Sequence, residues 1–206
     1  MNTHIKSIWR AFVFVVVPLF VAPLAYAADD LAAPVILVAT ERLLGLPYEE
    51  TVLLAVPAGD GQHLGLIVNR PTTIELASVF PDAASVRRSM DRLFFGGPAL
   101  SGVLFAAVRA PVPPSDFSIA LMPGLFLVTD KDGIERLIKA TPNKARYFTG
   151  YVVWGAGELA DEIRSGMWNV KPGESGILFR ANPQQLWIEF AQPKRQVASL
   201  GHPNDF

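Results

Sequence analysis

The sequence predicts an α+β fold, a single domain built on a curved, mainly antiparallel (mixed) sheet with flanking helices. Three observations indicate this fold class. Two short apolar runs, 51–56 and 63–68, are joined by Gly59-Asp60-Gly61, which is typical of a β-hairpin. Strand and helix patterns interleave along the chain, but hairpins dominate its first half. Half of the 206 residues are apolar and 18% are charged, which is the composition of a globular protein.

Most of the predicted elements are strands, because short apolar runs bounded by glycine, proline or polar residues recur along the chain. These runs predict strands over 35–39, 51–56, 63–68, 94–98, 103–108, 117–121, 125–129, 145–154 and 176–180.

Helices are predicted from cap residues and from apolar residues at helical spacing. The pattern indicates helices over 72–80, 132–140 and 158–165. Asn182-Pro183 begins a fourth helix, since proline is favoured in a first turn. The polar residues 82–92 predict a surface loop or a helix.

Residues 1–27 have the organisation of a signal peptide. Lys6 and Arg10 form a small positive region, an apolar run extends from Ala11 to Ala28, and Ala25-Tyr26-Ala27 supplies small residues where a signal peptidase cuts. The alternative is an uncleaved membrane anchor, because an apolar run of this length just spans a bilayer. Two prolines within the run interrupt such a helix and favour the signal peptide.

The leader sets the predicted domain organisation and location. We expect residues 28–193 to form the domain and 194–206 to be a loose C-terminal tail. The mature protein is expected to be periplasmic or secreted and free of the membrane; with the leader retained, it would be anchored and face the periplasm. The formal net charge of −1 becomes more negative once Lys6 and Arg10 are removed, which argues against direct binding of nucleic acid.

Four sequence blocks follow one another from residue 35 to 190. They are Leu37-Val38-Ala39 with Tyr48-Glu49-Glu50-Thr51-Val52; Gly65-Leu66-Ile67-Val68-Asn69-Arg70-Pro71; Phe95-Gly96-Gly97-Pro98; and Gly150-Tyr151-Val152-Val153-Trp154-Gly155-Ala156-Gly157-Glu158-Leu159 with Glu162-Ile163 and Trp168. In this order they resemble the YqgE/AlgH family of uncharacterised bacterial proteins. The chain departs from the family pattern at Ala156 and Glu158, where proline and glutamine are usual, and in having a leader.

The resemblance implies a protein of unknown biochemical activity, and most of its signature residues are predicted to be structural. These are Pro71, Pro98, Gly150, Tyr151, Trp154, Gly155, Gly157, Leu159, Glu162 and Trp168.

Two motifs are candidate ligand-binding residues. Asn69 and Arg70 follow a buried apolar strand, and arginine offers a planar charged fork for a carboxylate or phosphate. Gly96 and Gly97 have the composition of a backbone nest for an anion. The structural alternatives are that Asn69 bonds local backbone while Arg70 pairs with an acid, and that the glycines form a tight turn.

Gly155 to Ala160 fits the pattern G-x-G-x-x-A, which superficially resembles a dinucleotide fingerprint. The motif lies too late in the chain for a doubly wound domain to follow, and Glu158 places negative charge where a pyrophosphate would bind. We therefore predict a close strand-to-helix turn and no cofactor.

The sequence offers no arrangement typical of a catalytic or metal site. Cysteine is absent, His63 and His202 lie far apart in sequence, and no serine stands in a G-x-S-x-G motif. The leading hypothesis is a non-enzymatic, exported binding or regulatory domain whose partner is a protein or a small anionic ligand. The alternatives are a hydrolase-like enzyme with a site near Arg70 and Gly97, and a transcription-related regulator, which rests on the family name alone.

Overall fold

The computed structural model describes residues 31–86, 91–140 and 144–191. Within these ranges ten strands form one curved sheet and four α-helices flank it. The strands are β1 (Val35–Ala39), β2 (Val52–Gly59), β3 (Gln62–Ile67), β4 (Pro71–Glu75), β5 (Arg92–Phe95), β6 (Ala99–Arg109), β7 (Ser118–Met122), β8 (Leu125–Val128), β9 (Ala145–Trp154) and β10 (Trp168–Pro172). The helices are α1 (Leu76–Val79), α2 (Lys131–Ala140), α3 (Glu158–Arg164) and α4 (Leu186–Ala191).

The strand pairing confirms the predicted α+β class and its mainly antiparallel, mixed sheet. The strand order is β10-β1-β2-β3-β9-β6-β8-β7, and β5 pairs with both β4 and β9. The pairing of β5 with β9 is parallel, and the other pairings in the described ranges are antiparallel. The predicted hairpin is present, with Leu54 opposite Leu66.

Both faces of the central strands are buried, which explains why their sequences are continuous apolar runs and not alternating ones. On one face, the core is closed by the 3-10 helix Ser175–Phe179 and by α4. On the opposite face, α3 covers a second cluster that contains Trp154 and Trp168. A third cluster lies beneath α2. None of the helices in the described part of the chain has the length and apolar character that crossing a membrane requires.

The predicted helix over 72–80 is wrong for its first half. Residues Pro71–Glu75 form β4, which pairs with β5, and only Leu76–Val79 is helical. The physical reason lies in the segment Thr72-Thr73-Ile74, whose β-branched side chains favour an extended backbone. The cap-like threonines are thus part of a strand.

The predicted strand over 176–180 is also wrong. Residues Ser175–Phe179 form a 3-10 helix, and the strand in this region is β10, which pairs with β1. Ile177 and Leu178 are both buried, so the segment is apolar on consecutive positions without being extended. Such short apolar runs do not distinguish strand from helix by periodicity.

The other predicted elements are found with shifted ends. Strand β6 starts at Ala99, ahead of the predicted 103, and β5 ends at Phe95, so Gly96-Gly97-Pro98 connects two strands. Helices α2 and α3 match their predictions, and Pro183–Gln185 begins the last helical segment as expected. The predicted signal peptide (1–27), the tail (194–206) and part of the segment 82–92 lie outside the described residues.

Candidate functional site

Asn69 holds the β1–β2 loop, residues 40–51, against the end of β3. Its Oδ1 accepts the backbone N–H of Val52 at 2.9 Å, and its Nδ2 donates to the carbonyl of Glu50 at 2.8 Å. Asn69 is 8% exposed, and its amide oxygen satisfies the N–H of Val52, which would otherwise be a buried donor without this partner. Glu50 has a left-handed backbone with φ of 53°, and the bond from Asn69 helps to fix it.

Arg70 grips the same loop one residue further along. Its Nη1 donates to the carbonyl of Pro47 at 2.7 Å, and its Nη2 donates to the carbonyl of Glu49 at 2.9 Å. Burial lowers the pKa of Arg70, and the charges of Tyr48 and Glu49 oppose that shift. Among the described residues, no carboxylate forms an ion pair with Arg70. The guanidinium is therefore fixed by neutral acceptors and its charge is not paired.

Tyr48 lies between the two carbonyls that Arg70 holds, and its ring meets Trp168 edge-on, with centroids 6.0 Å apart. The indole N–H of Trp168 donates to Oε2 of Glu162 at 2.7 Å, and that of Trp154 donates to the same oxygen at 2.9 Å. Burial raises the pKa of Tyr48; Glu162 adds to the rise and Arg70 opposes it.

These five residues form one connected group, which we call the Arg70–Glu162 cluster: Arg70, Tyr48, Trp168, Glu162 and Trp154. A positive and a negative side chain stand at its two ends, and aromatic rings join them. Arg70, Tyr48 and Glu162 are half-buried, whereas both indoles are buried. Leu44 and Leu46 in the β1–β2 loop are 53% and 50% exposed, so the loop beside Arg70 also presents apolar surface.

Gly96 and Gly97 lie beside Arg70 in the backbone but serve a different purpose. The N–H of Gly96 donates to Thr149 and its carbonyl accepts from Ile67, both at 2.9 Å. A Cβ on Gly97 would lie 2.6 Å from the backbone nitrogen of Val152, and a Cβ on Gly96 would overlap the carbonyl of Gly150. The two glycines thus allow their backbone to pack closely against that of β9. The N–H of Gly96 is already hydrogen-bonded to the carbonyl of Thr149. A ligand role for Gly96 and Gly97 stays a prediction.

The strand-to-helix turn at Gly155 is closed by its own helix. Oε2 of Glu158 accepts the backbone N–H of Gly155 at 2.8 Å, so the carboxylate brings negative charge into the turn and uses one of its N–H groups. Leu159 is buried in the cluster beneath α3, and Tyr151 meets Phe105 edge-on at 5.4 Å. Pro71 begins β4, and Pro98 precedes β6.

The sequence indicates Asn69 and Arg70 as candidate ligand residues but does not predict that Tyr48 and Glu162 lie with them. Its pattern predicts a structural role for Glu162, and Tyr48 belongs to one of the blocks that carry the family resemblance. One signal was available: a buried indole N–H needs an acceptor, and Glu162 stands near both Trp154 and Trp168 in the chain. In the described ranges, no group of three or more His, Cys, Asp or Glu side chains converges to hold a metal ion.

The fold and the cluster together define a small α+β protein. In it, an Asn-Arg pair at the end of a strand holds a surface loop beside two indoles that bind one carboxylate. The AlgH-like family model (DUF179) matches residues 36–196, and the chain belongs to this YqgE/AlgH family. A UPF0301 protein of Chlorobaculum parvum is 30% identical over 171 residues, covering 81% of this chain and 88% of the relative. A UPF0301 protein of Streptomyces coelicolor is 29% identical, covering 78% and 85%.

Two solved structures share the fold. The solution structure of the AlgH protein from Pseudomonas aeruginosa matches with a TM-score of 0.65 at 24% identity, covering 78% of this chain and 87% of that one. The crystal structure of a Corynebacterium diphtheriae protein matches with a TM-score of 0.61 at 22% identity, covering 80% and 88%. At these identities the likeness concerns the fold alone.

Proposed function

We propose that this chain is a non-enzymatic binding or regulatory domain in which Arg70 captures an anionic group of a small ligand or a partner protein. The observation that carries the proposal is the state of the guanidinium. Two carbonyl bonds fix its position, and no described carboxylate forms an ion pair with it. A charged fork held in place before binding loses little conformational entropy when a carboxylate arrives, so it suits anion recognition.

The neighbouring groups support binding and not catalysis. Asn69 bonds backbone partners through both its amide oxygen and its amide nitrogen, and Oε2 of Glu162 accepts two indole N–H groups. Such contacts hold shape and charge, whereas nucleophilic catalysis requires a nucleophile hydrogen-bonded to a base. The exposed Leu44 and Leu46 add apolar contact area next to the charge.

A titration with acetate tests the anion site directly. We expect the side-chain Nε–H resonance of Arg70 to shift saturably with acetate, at constant ionic strength maintained with chloride. Arg70→Lys removes this resonance and the forked geometry, and it should weaken acetate binding measured on the backbone amides of the β1–β2 loop. The matched control is Arg164→Lys, because Arg164 is 74% exposed and pairs with Asp161 on α3. Equal acetate responses of wild type, Arg70→Lys and Arg164→Lys would refute the proposal.

We also infer that residues 1–27 are a signal peptide, which directs export of the protein and is then cleaved off. The support is the sequence of the leader, with Lys6 and Arg10 ahead of an apolar run that ends in Ala25-Tyr26-Ala27. N-terminal sequencing of the protein from a periplasmic fraction should start at Ala28. Recovery of a soluble cytoplasmic form with intact Met1 as the main product would overturn the inference.

A further inference from the structure

Glu162 brings a negative charge to the end of the Arg70–Glu162 cluster opposite the guanidinium. Both indole bonds reach its Oε2, at 2.7 and 2.9 Å, and no described residue donates to its Oε1. A carboxylate accepts several hydrogen bonds, so Oε1 keeps its capacity for a donor from outside the protein. The indoles fix the carboxylate in place without neutralising it.

Tyr48 stands between the two charges. Arg70 holds the carbonyls of Pro47 and Glu49 on either side of it, while its ring packs on Trp168, whose N–H binds Glu162. The Tyr48 hydroxyl makes no hydrogen bond to a described residue. Its pKa is raised by burial and by Glu162 and lowered by Arg70, so it lies within electrostatic range of both. Tyr48 and Trp168 thus connect a positive side chain to a negative one, with Tyr48 near both charges.

We propose that the ligand of this site is a small zwitterion, whose carboxylate binds Arg70 and whose ammonium group binds Oε1 of Glu162 across the hydroxyl of Tyr48. The proposal rests on the proposed function, because the contact with Arg70 is the same. A simple anion is attracted by the guanidinium of Arg70. It is repelled by the carboxylate of Glu162 if it extends towards that end of the cluster. A molecule with charges of both signs complements both ends, and complementarity of this kind determines specificity.

A series of ω-amino acids tests the proposal, because it varies the distance between the two charges. The probes are glycine, β-alanine, 4-aminobutanoate and 6-aminohexanoate, each compared with the alkyl carboxylate and the alkylamine of the same length. The Nε–H resonance of Arg70 reports the anionic end. The indole N–H resonances of Trp154 and Trp168 report the cationic end, because both donate to Glu162. The indole of Trp187 donates to the carbonyl of Ala39 and serves as an internal control.

We expect one chain length to bind at least about tenfold more tightly than its matched carboxylate, since a charge-assisted hydrogen bond contributes on that order. That probe should shift Arg70, Trp154 and Trp168 together and leave Trp187 unchanged. Glu162→Gln keeps an oxygen acceptor for the indoles and removes the charge. It should abolish the advantage of the amino acid while carboxylate binding persists.

The outcomes separate the two proposals. If carboxylates shift Arg70 but every amino acid binds no more tightly and leaves both indoles unmoved, the zwitterion is refuted and the anion site at Arg70 stands. If amino acids shift the indoles while Arg70 stays unchanged, or if no probe shifts Arg70, both proposals fail. These comparisons use the wild-type protein, so they hold even if Glu162→Gln impairs folding.

Discussion

The Asn69–Arg70 junction and the Gly96–Gly97 junction are neighbours in the sheet but hold the chain by opposite means. Their backbones are joined, since Phe95 donates to the carbonyl of Arg70 and Ile67 donates to that of Gly96, both at 2.9 Å. The first junction works through long polar side chains that reach a loop. The second depends on the absence of side chains at Gly96 and Gly97, because a Cβ at either position would overlap the backbone of β9.

The two kinds of constraint differ in what they show about function. Close packing against β9 accounts for the two glycines, and the N–H of Gly96 already bonds Thr149. The side-chain junction fixes the β1–β2 loop and still leaves a charge on Arg70 that no described carboxylate pairs. Substitutions at the two junctions should therefore differ in kind: the glycine variants should lose stability, and the arginine variant should lose mainly binding.

Gly97→Ala should produce the largest loss. Its Cβ would meet the backbone of Tyr151 and lie 2.6 Å from the nitrogen of Val152, and backbone in a central strand cannot yield. We expect destabilisation by more than about 5 kcal/mol, enough to unfold a typical domain. Circular dichroism and denaturant unfolding would measure it.

Gly102→Ala is the matched control, because no atom lies within 4 Å of the Cβ it would add. We expect it to change stability by less than about 1 kcal/mol in either direction. If Gly97→Ala and Gly102→Ala melted alike, close backbone packing would not be the reason for the glycine at 97.

Trp154→Ala should cost about 3–5 kcal/mol, the range for deleting a large buried aromatic side chain. Trp154 is 3% exposed, and its ring packs where a Cβ on Gly65 would stand. Trp154→Phe separates packing from hydrogen bonding, since it keeps a ring but loses the donor to Glu162. We expect about 1 kcal/mol for that smaller change. Similar losses for the two variants would mean that the indole bond, and not the packing, dominates.

Asn69→Ala should cost about 2–3 kcal/mol, because it leaves the N–H of Val52 and the carbonyl of Glu50 without their partner. Urea unfolding would give the value, and hydrogen exchange at Val52 should accelerate. Asn169→Ala is the control, since Asn169 is exposed on β10; its effect should stay below about 0.5 kcal/mol. Slow exchange at Val52 in Asn69→Ala would show that the loop is held by other contacts.

The sequence predicts those elements whose secondary structure is determined by local patterns. It does not predict those whose secondary structure depends on pairing with a distant segment. The hairpin of β2 and β3 is encoded by two apolar runs and the turn Gly59-Asp60-Gly61. Strand β10 exists because it pairs with β1, at the other end of the domain's sequence, and its own residues from Trp168 to Pro172 lack a continuous apolar run. Helix α1 is short because Pro71–Glu75 pairs with β5 and is therefore a strand of the sheet.

The site was predictable in part for the same reason. Asn69 and Arg70 stood out because neither is a core residue type, yet both follow a buried strand. Their hydrogen-bond partners lie 17 to 23 residues away, in the β1–β2 loop and at the start of β2, so spacing alone does not reveal them. The sequence suggested an acid as the partner of Arg70, whereas the structure pairs it with the carbonyls of Pro47 and Glu49.

Arg70→Lys should have a small effect on stability and a large effect on anion binding. Lysine keeps the charge but cannot reach two carbonyls with a planar fork, so one of the bonds to Pro47 and Glu49 is lost. Because the side chain is only half-buried, water replaces part of that bond, and we expect a loss of about 1 kcal/mol in thermal or denaturant unfolding. Asn69 still holds the loop through Glu50 and Val52, so the binding surface stays folded and any weaker response to acetate reports the missing fork. Arg164→Lys, at an exposed ion pair, should change neither property. A drop in stability with an unaltered acetate response would show that Arg70 has a structural role and does not bind the anion.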